Sequence, residues 1–270
     1  MSKKRILYIS QEITPYLPVS EIANVGRHLP QGAQEKGREI RTFMPKFGCI
    51  NERRNQLHEV IRLSGMNLII NDNDHPLIIK VASIQPARMQ VYFIDNEDYF
   101  QRKAVLKDKE GNFFSDNDER AIFFCRGVLE TVKKLGWAPD LIHCHGWMTS
   151  LIPLYLKTSY KNEPLFEKSK VITSIYNDCF KGSLDKNFAQ KALMDGVTEE
   201  DIHSYIDPTH SNLCLAAAKW SDGVIIGSEK SSAFAENLSV PVLEFQGTDY
   251  IDAYSNFYDE ILLEQEVLAD

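Results

Sequence analysis

Two short clusters in this 270-residue chain hold most of the side chains able to do chemistry. The first is His143-Cys144-His145. Histidines two apart on an extended segment point to the same side, which could begin a metal site or line a cleft. Zn²⁺ takes three or four ligands, and no third ligand follows at a matching spacing, so no metal is expected. The sequence instead favours His145, with Trp147 close behind, as a cleft group at the carboxyl end of a strand, where open α/β sheets bind ligands. The second cluster is Ser174-Ile175-Tyr176-Asn177-Asp178. Tyr176 and Asn177 can hydrogen-bond a ligand and Asp178 can accept a proton, although polar residues also serve simply to turn a strand into a helix. Cys144 and Cys179 lie beside these clusters. No base is evident near either in the sequence, so both read as unreactive thiols. Glu12, Ser20 and Asn24 lie around the first loop and complete the candidate ligand-binding set. No GxSxG, HExxH, Walker loop or GxGxxG occurs.

The elements that must position these groups follow from periodicity. Ile6 to Ile9 is a short apolar run sized for a buried parallel strand. A loop with Pro15 and Pro18 follows, and Ser20 caps a helix carrying Ile22, Val25 and Leu29 on one side. A phosphate normally sits where the first strand meets the first helix, on backbone N–H groups that glycine leaves accessible. Here the loop reads Leu17-Pro18-Val19-Ser20-Glu21, with no glycine, one proline and one carboxylate.

Glu39 to Met44 predicts a second strand, and Leu57 to Asp95 a small antiparallel excursion ending in a core strand over Val91 to Ile94. Asp116 with Glu119, or Ser115 with Asp118, predicts a capping box on a helix running to Gly136. Strands over residues 139–145, 171–175 and 223–227 alternate with helices over 147–157, 207–219 and 229–238. This predicts an α/β fold, a Rossmann-like, doubly wound and mostly parallel sheet. In the segment 249–270, Ile251, Tyr254, Phe257, Tyr258, Ile261 and Leu262 form one helical stripe. It suits packing on the chain's own domain or contact with a partner or second copy. The division expected is therefore a domain over 1–248 and an acidic amphipathic tail over 249–270.

Composition narrows the function classes. The net charge of −8 disfavours nonspecific binding to nucleic acid or anionic membrane. The segment 249–270 carries seven acids and no Lys or Arg, so the remainder is close to neutral. Five cysteines without a CxxC pair suit reduced thiols in a cytoplasm. No signal peptide or membrane span is predicted.

Several stretches in order then carry a resemblance: ILYISQEITPY at residues 6–16, MPKFG at 44–48, VYFIDNEDYF at 91–100 and DNDERAIFF at 116–124. PDLIHCHGWMTSLIPLYLK at 139–157 is the most specific. SIYNDCFKG at 174–182 and GVIIGSEKSSAFAENL at 223–238 follow. The chain resembles the N-terminal half of bacterial glycogen synthases and plant starch synthases, the retaining glucosyltransferases of glycosyltransferase family five. The resemblance spans roughly residues 4–239. It implies the N-terminal domain of a GT-B fold, which holds the glucan acceptor and part of the donor pocket, with a second domain gripping most of the nucleotide. The family transfers glucose from ADP-glucose to an α-1,4-glucan, so a sugar nucleotide or an α-glucan is the expected ligand. No separate cofactor is implied.

The chain departs from the family at chemically important positions. The family's Lys-Thr-Gly-Gly-Leu falls on Pro18, Val19, Ser20, Glu21 and Ile22. The aspartate two residues beyond is Asn24. His-Asp-Trp becomes His145-Gly146-Trp147, and Thr-Ile-His-Asn becomes Ser174-Ile175-Tyr176-Asn177. Glu12 and Asn177 match. The charge on a departing diphosphate needs preorganised donors, each worth about 3–4 kcal/mol of barrier. The resemblance also stops before the family's second domain. The expectation is therefore a glycogen synthase-like protein that is inactive alone and binds a ligand or a protein. One alternative is a half-enzyme completed by a separate donor-domain chain. Another is a different small enzyme reusing Tyr176, Asp178 and His145.

Overall fold

The computed structural model describes residues 3–267. Its first half contains β1 (Arg5–Ser10), α1 (Glu21–Glu35), β2 (Glu39–Pro45), β3 (His58–Glu59), β4 (Met66–Ile70), β5 (Asn73–Ile84), β6 (Met89–Asp95), α2 (Glu97–Phe100) and α3 (Asn117–Leu135). The second half contains β7 (Leu141–His145), α4 (Leu151–Lys157), β8 (Lys170–Ile175), α5 (Phe188–Ala192), α6 (Glu199–Ile202), α7 (His210–Lys219), β9 (Gly223–Ile226), β10 (Val242–Leu243) and α8 (Tyr250–Val267).

The sheet runs in the order β10-β9-β8-β7-β1-β2-β6-β5-β3, with β4 hairpinned onto β5. Every pairing from β10 to β6 is parallel, and those of β5 are antiparallel. From β1 the chain builds outward to β2 and β6, then returns to place β7 on the other side of β1. The crevice between β1 and β7 is thus the topological switch point. Residues alternate between faces, as the pleat requires. Ile6 and Tyr8 join the apolar cluster shared with α1 and α8, whereas Leu7 and Ile9 join the larger cluster with α3 and α4. Helices therefore cover both faces, as the periodicity predicts.

Three local expectations are corrected. No capping box forms at α3: Asp116 makes no cap hydrogen bond, because its carboxylate accepts from Arg102 at 2.6 Å. Residues 229–237 form a 3₁₀ helix, in which Ser232 Oγ donates to the Glu229 carbonyl at 2.7 Å and competes for backbone acceptors. Residues 147–157 divide into a 3₁₀ turn over Trp147–Thr149 and the short α4.

The segment 250–262 packs back across α1 and the sheet. Tyr254, Phe257, Tyr258, Ile261 and Leu262 are buried. Arg38 donates to the Ser255 carbonyl at 3.0 Å and to Asp259 at 2.9 Å, and its guanidinium lies 5.3 Å from the Tyr258 ring centre. Among the described residues no helix is long and apolar enough to cross a membrane.

Candidate functional site

The carboxyl ends of β1, β7, β8 and β9 gather the predicted residues into four groups. At the end of β1, Glu12 accepts from Ser20 Oγ at 2.6 Å. Ser20 Oγ in turn accepts from the Ala23 N–H at 3.0 Å and caps α1, as its sequence position predicts. Glu12 and Ser20 line a pocket of about 390 Å³ with Leu17, Pro18, Val19 and Lys107. Its wall presents a carboxylate and a proline at the entry to α1, and Glu21 occupies the first turn of the helix. The positive end of the helix dipole therefore already faces a negative side chain.

Below the end of β7, His143 and His145 lie with their ring centres 3.9 Å apart, and neither has exposed surface. His143 bonds Tyr258 Oη through Nδ1 at 2.6 Å and Ser174 Oγ through Nε2 at 2.7 Å. His145 Nδ1 bonds Tyr176 Oη at 2.9 Å, and its buried Nε2 has no partner among the described residues. Burial holds the imidazole of His143 well below its ordinary range and lowers that of His145 to about 3. Both are neutral at physiological pH. The Tyr176 ring lies against Gly227, where an added Cβ would come within 2.5 Å of it. No group of three or more His, Cys, Asp or Glu suited to a metal occurs among the described residues.

The third group joins the switch-point turn to the loop after β8. Gly146 has φ +87° and ψ 157°, a backbone conformation that favours glycine. A Cβ there would also lie 2.9 Å from that of Gln11 and 3.3 Å from Asp178 Oδ2. The Trp147 N–H donates to Asp178 Oδ2 at 3.1 Å. Trp147 is itself buried, 5.0 Å from Phe180 and 6.1 Å from Phe113 between ring centres. Asp178 Oδ1 lies 2.8 Å from His210 Nε2, and His210 Nδ1 lies 3.5 Å from Cys179 Sγ. Asn177 is exposed beside them. Sequence reasoning missed His210, so its reading that no base stands near Cys179 is corrected: α7 brings one from 31 residues away.

Asn24 belongs to a fourth group, a pocket of about 520 Å³ beyond the end of β9. Glu21, His28, Phe245, Gln246, Tyr250 and Tyr254 share its wall, which contains no Lys or Arg. Of these, Glu21 stands out in the sequence as the carboxylate of the first loop and Tyr254 as part of the helical stripe. Gln246 and Tyr250 bracket the turn into α8, and the aromatic spacing was the available signal.

A mostly parallel sheet with its crevice between β1 and β7, covered by helices on both faces, defines a Rossmann-like α/β domain. The starch synthase catalytic domain family matches residues 5–233, and the chain belongs to that family. Glycogen synthase of Chlorobium limicola is 39% identical over 232 residues, covering 83% of this chain and 47% of that protein. Glycogen synthase of Chlorobium luteolum is 40% identical over 195 residues, covering 72% and 40% respectively. The chain thus spans less than half the length of these curated relatives. The catalytic domain of starch synthase IV from Arabidopsis thaliana, solved with ADP and acarbose, superposes with a TM-score of 0.70 at 19% identity. It covers 92% of this chain and 53% of that one.

Proposed function

We propose that this domain binds a neutral α-glucan at the carboxyl-end cleft and, alone, transfers no glucose. The observation that carries the reading is the pocket beside Asn24. It offers partly exposed aromatic side chains from Phe245 and Tyr250 and hydrogen-bonding groups from Asn24, Gln246 and Glu21, without a cation from Lys or Arg. Aromatic faces and polar edges suit sugar rings, whereas a diphosphate needs cations or free backbone donors. At the neighbouring loop, the Glu12–Ser20 hydrogen bond and Pro18 stand at the entry to α1, and Lys107 is, among the described residues, the single Lys or Arg in that pocket's wall. Family membership supplies the class of sugar.

The test is thermal unfolding of the purified chain with malto-oligosaccharides, ADP-glucose, UDP-glucose and ADP, alongside an assay for glucosyl transfer. A ligand at one hundred times its Kd adds about 2.7 kcal/mol of stability. The expected outcome is a rise in Tm with the oligosaccharides, none with the nucleotides, and no transfer. A shift with either sugar nucleotide, or turnover, would overturn the reading. Asn24→Ala should weaken the oligosaccharide shift.

A half-transferase completed by a separate donor-domain chain remains the second reading. It draws on Val19, 78% exposed at the lip of the Glu12 pocket. A homodimer or protein partner docking on 249–270 would have to use residues other than the buried stripe, or first release it.

A further inference from the structure

The geometry points to Cys179 as a base-assisted nucleophilic thiol, a site of modification by hydroperoxides. Three side chains make the relay. Asp178 is held from one side by the Trp147 N–H at 3.1 Å and faces His210 Nε2 with its other oxygen at 2.8 Å. A carboxylate only accepts, so it fixes the proton of a neutral His210 on Nε2 and leaves the lone pair of Nδ1 toward Cys179 Sγ, 3.5 Å away. A nucleophile, a base and a group orienting the base, in that sequence, is the arrangement that activates thiols and hydroxyls elsewhere. His210 is buried at the start of α7, and Cys179 is exposed. The base is therefore fixed while the sulfur stays accessible.

Every group facing the imidazole bears on its chemistry. Asp178 and Cys179 come from the loop after β8, and Phe180 of the same loop meets the ring edge-on at 5.9 Å. Cys214, one turn further along α7, lies 3.8 Å from Nε2 and 4.0 Å from Nδ1, and the Cys179 thiol also lies 3.7 Å from Asn177 Oδ1. Burial, then the Asp178 charge, pushes the Cys179 thiol up, so at rest it is a protonated thiol beside the imidazole. During attack the proton moves from Sγ to Nδ1, and Asp178 balances the imidazolium. Sulfur forms a bond to the distal peroxide oxygen while the O–O bond breaks. The departing alkoxide or hydroxide takes the proton from Nδ1. The products are a sulfenic acid and an alcohol or water: sulfur loses two electrons and the peroxide gains them.

Cys49 is the other exposed cysteine and serves as an internal control. The whole chain is treated with hydrogen peroxide and dimedone, and adducts are quantified by peptide mass spectrometry. Cys179 should be trapped at least tenfold faster than Cys49 at pH 7. The rate is followed as a pH profile in both the native chain and the variant. In His210→Gln the Cys179 rate should fall to that of Cys49, with Cys49 unchanged and the buried Cys125 and Cys144 still unlabelled, which rules out unfolding as the cause. Equal rates at Cys179 and Cys49 in the native chain, or a folded His210→Gln variant with an unaltered Cys179 rate and profile, would overturn the assignment.

Discussion

His143 and His145 behave as structural groups with a cost attached to acid. Both are wholly buried, and burial depresses both imidazoles. The unfolded chain gains these two protons near pH 6.5, whereas the folded chain takes them up only at much lower pH, about 3 for His145. Their contribution is therefore intact above pH 6.5 and is lost as pH falls below it. Each group costs about 1.4 kcal/mol per pH unit in that window, so the pair gives a slope of about 2.7 kcal/mol per unit. Urea unfolding at pH 7.5, 6.5, 6.0 and 5.5 should show little histidine-linked change down to 6.5 and a steep loss below it. His145→Gln should roughly halve the slope, and an unchanged slope would refute this account. The sequence placed both rings on one face, as the strand period dictates. It did not show that Tyr176 and Tyr258 would close over them, because those partners lie 31 and 115 residues away.

Among the elements, α8 is anchored by contacts of different kinds. Tyr258 Oη bonds His143 at 2.6 Å, Arg38 grips the helix backbone and Asp259, and Lys36 pairs with Asp252. The Lys36 pair is largely exposed, with Asp252 at 81%, and contributes little. Tyr258→Phe, by contrast, removes a buried partner and should cost about 1–3 kcal/mol. Denaturant midpoints and hydrogen exchange over 250–262 would measure it. A neutral substitution would mean that the hydroxyl is dispensable to the anchoring. The helical stripe in α8 was legible because five of its six apolar positions are buried. Residues 71–74 were harder to read. Asn71 and Asp72 adopt positive φ in a two-residue turn, and β5 begins at once with Asn73, so polar residues that resemble a loop include the start of a twelve-residue strand. The failed cap at Asp116 has a similar cause: Arg102, fourteen residues earlier in an irregular segment, takes the carboxylate.

For the molecule as a whole, one face of the sheet is covered jointly by α1 and residues 250–262. Burying Tyr254, Phe257, Tyr258, Ile261 and Leu262 contributes on the order of 10 kcal/mol at ~2 kcal/mol per side chain. That is comparable with the entire stability of a typical domain. Removing 249–270 should therefore leave an aggregating or unfolded protein, as sedimentation and circular dichroism would show. A soluble monomeric truncation with native secondary structure would disprove this expectation. The α/β architecture was readable because strand and helix periods alternate cleanly from β7 onward. The pocket beside Asn24 was not, since it exists only where α1, β9 and the turn into α8 converge.

The bond between His143 and Tyr258 spans 115 residues, and this separation has a consequence for synthesis. A ribosome builds all of the strands through β10 before it reaches Tyr250. Until then, the side of the nascent sheet carrying Tyr8, Leu141 and Ile172 lacks its α8 cover. That interval is when chaperones would find this chain, and its length is set by the rate of translation through the last stretch before Leu262.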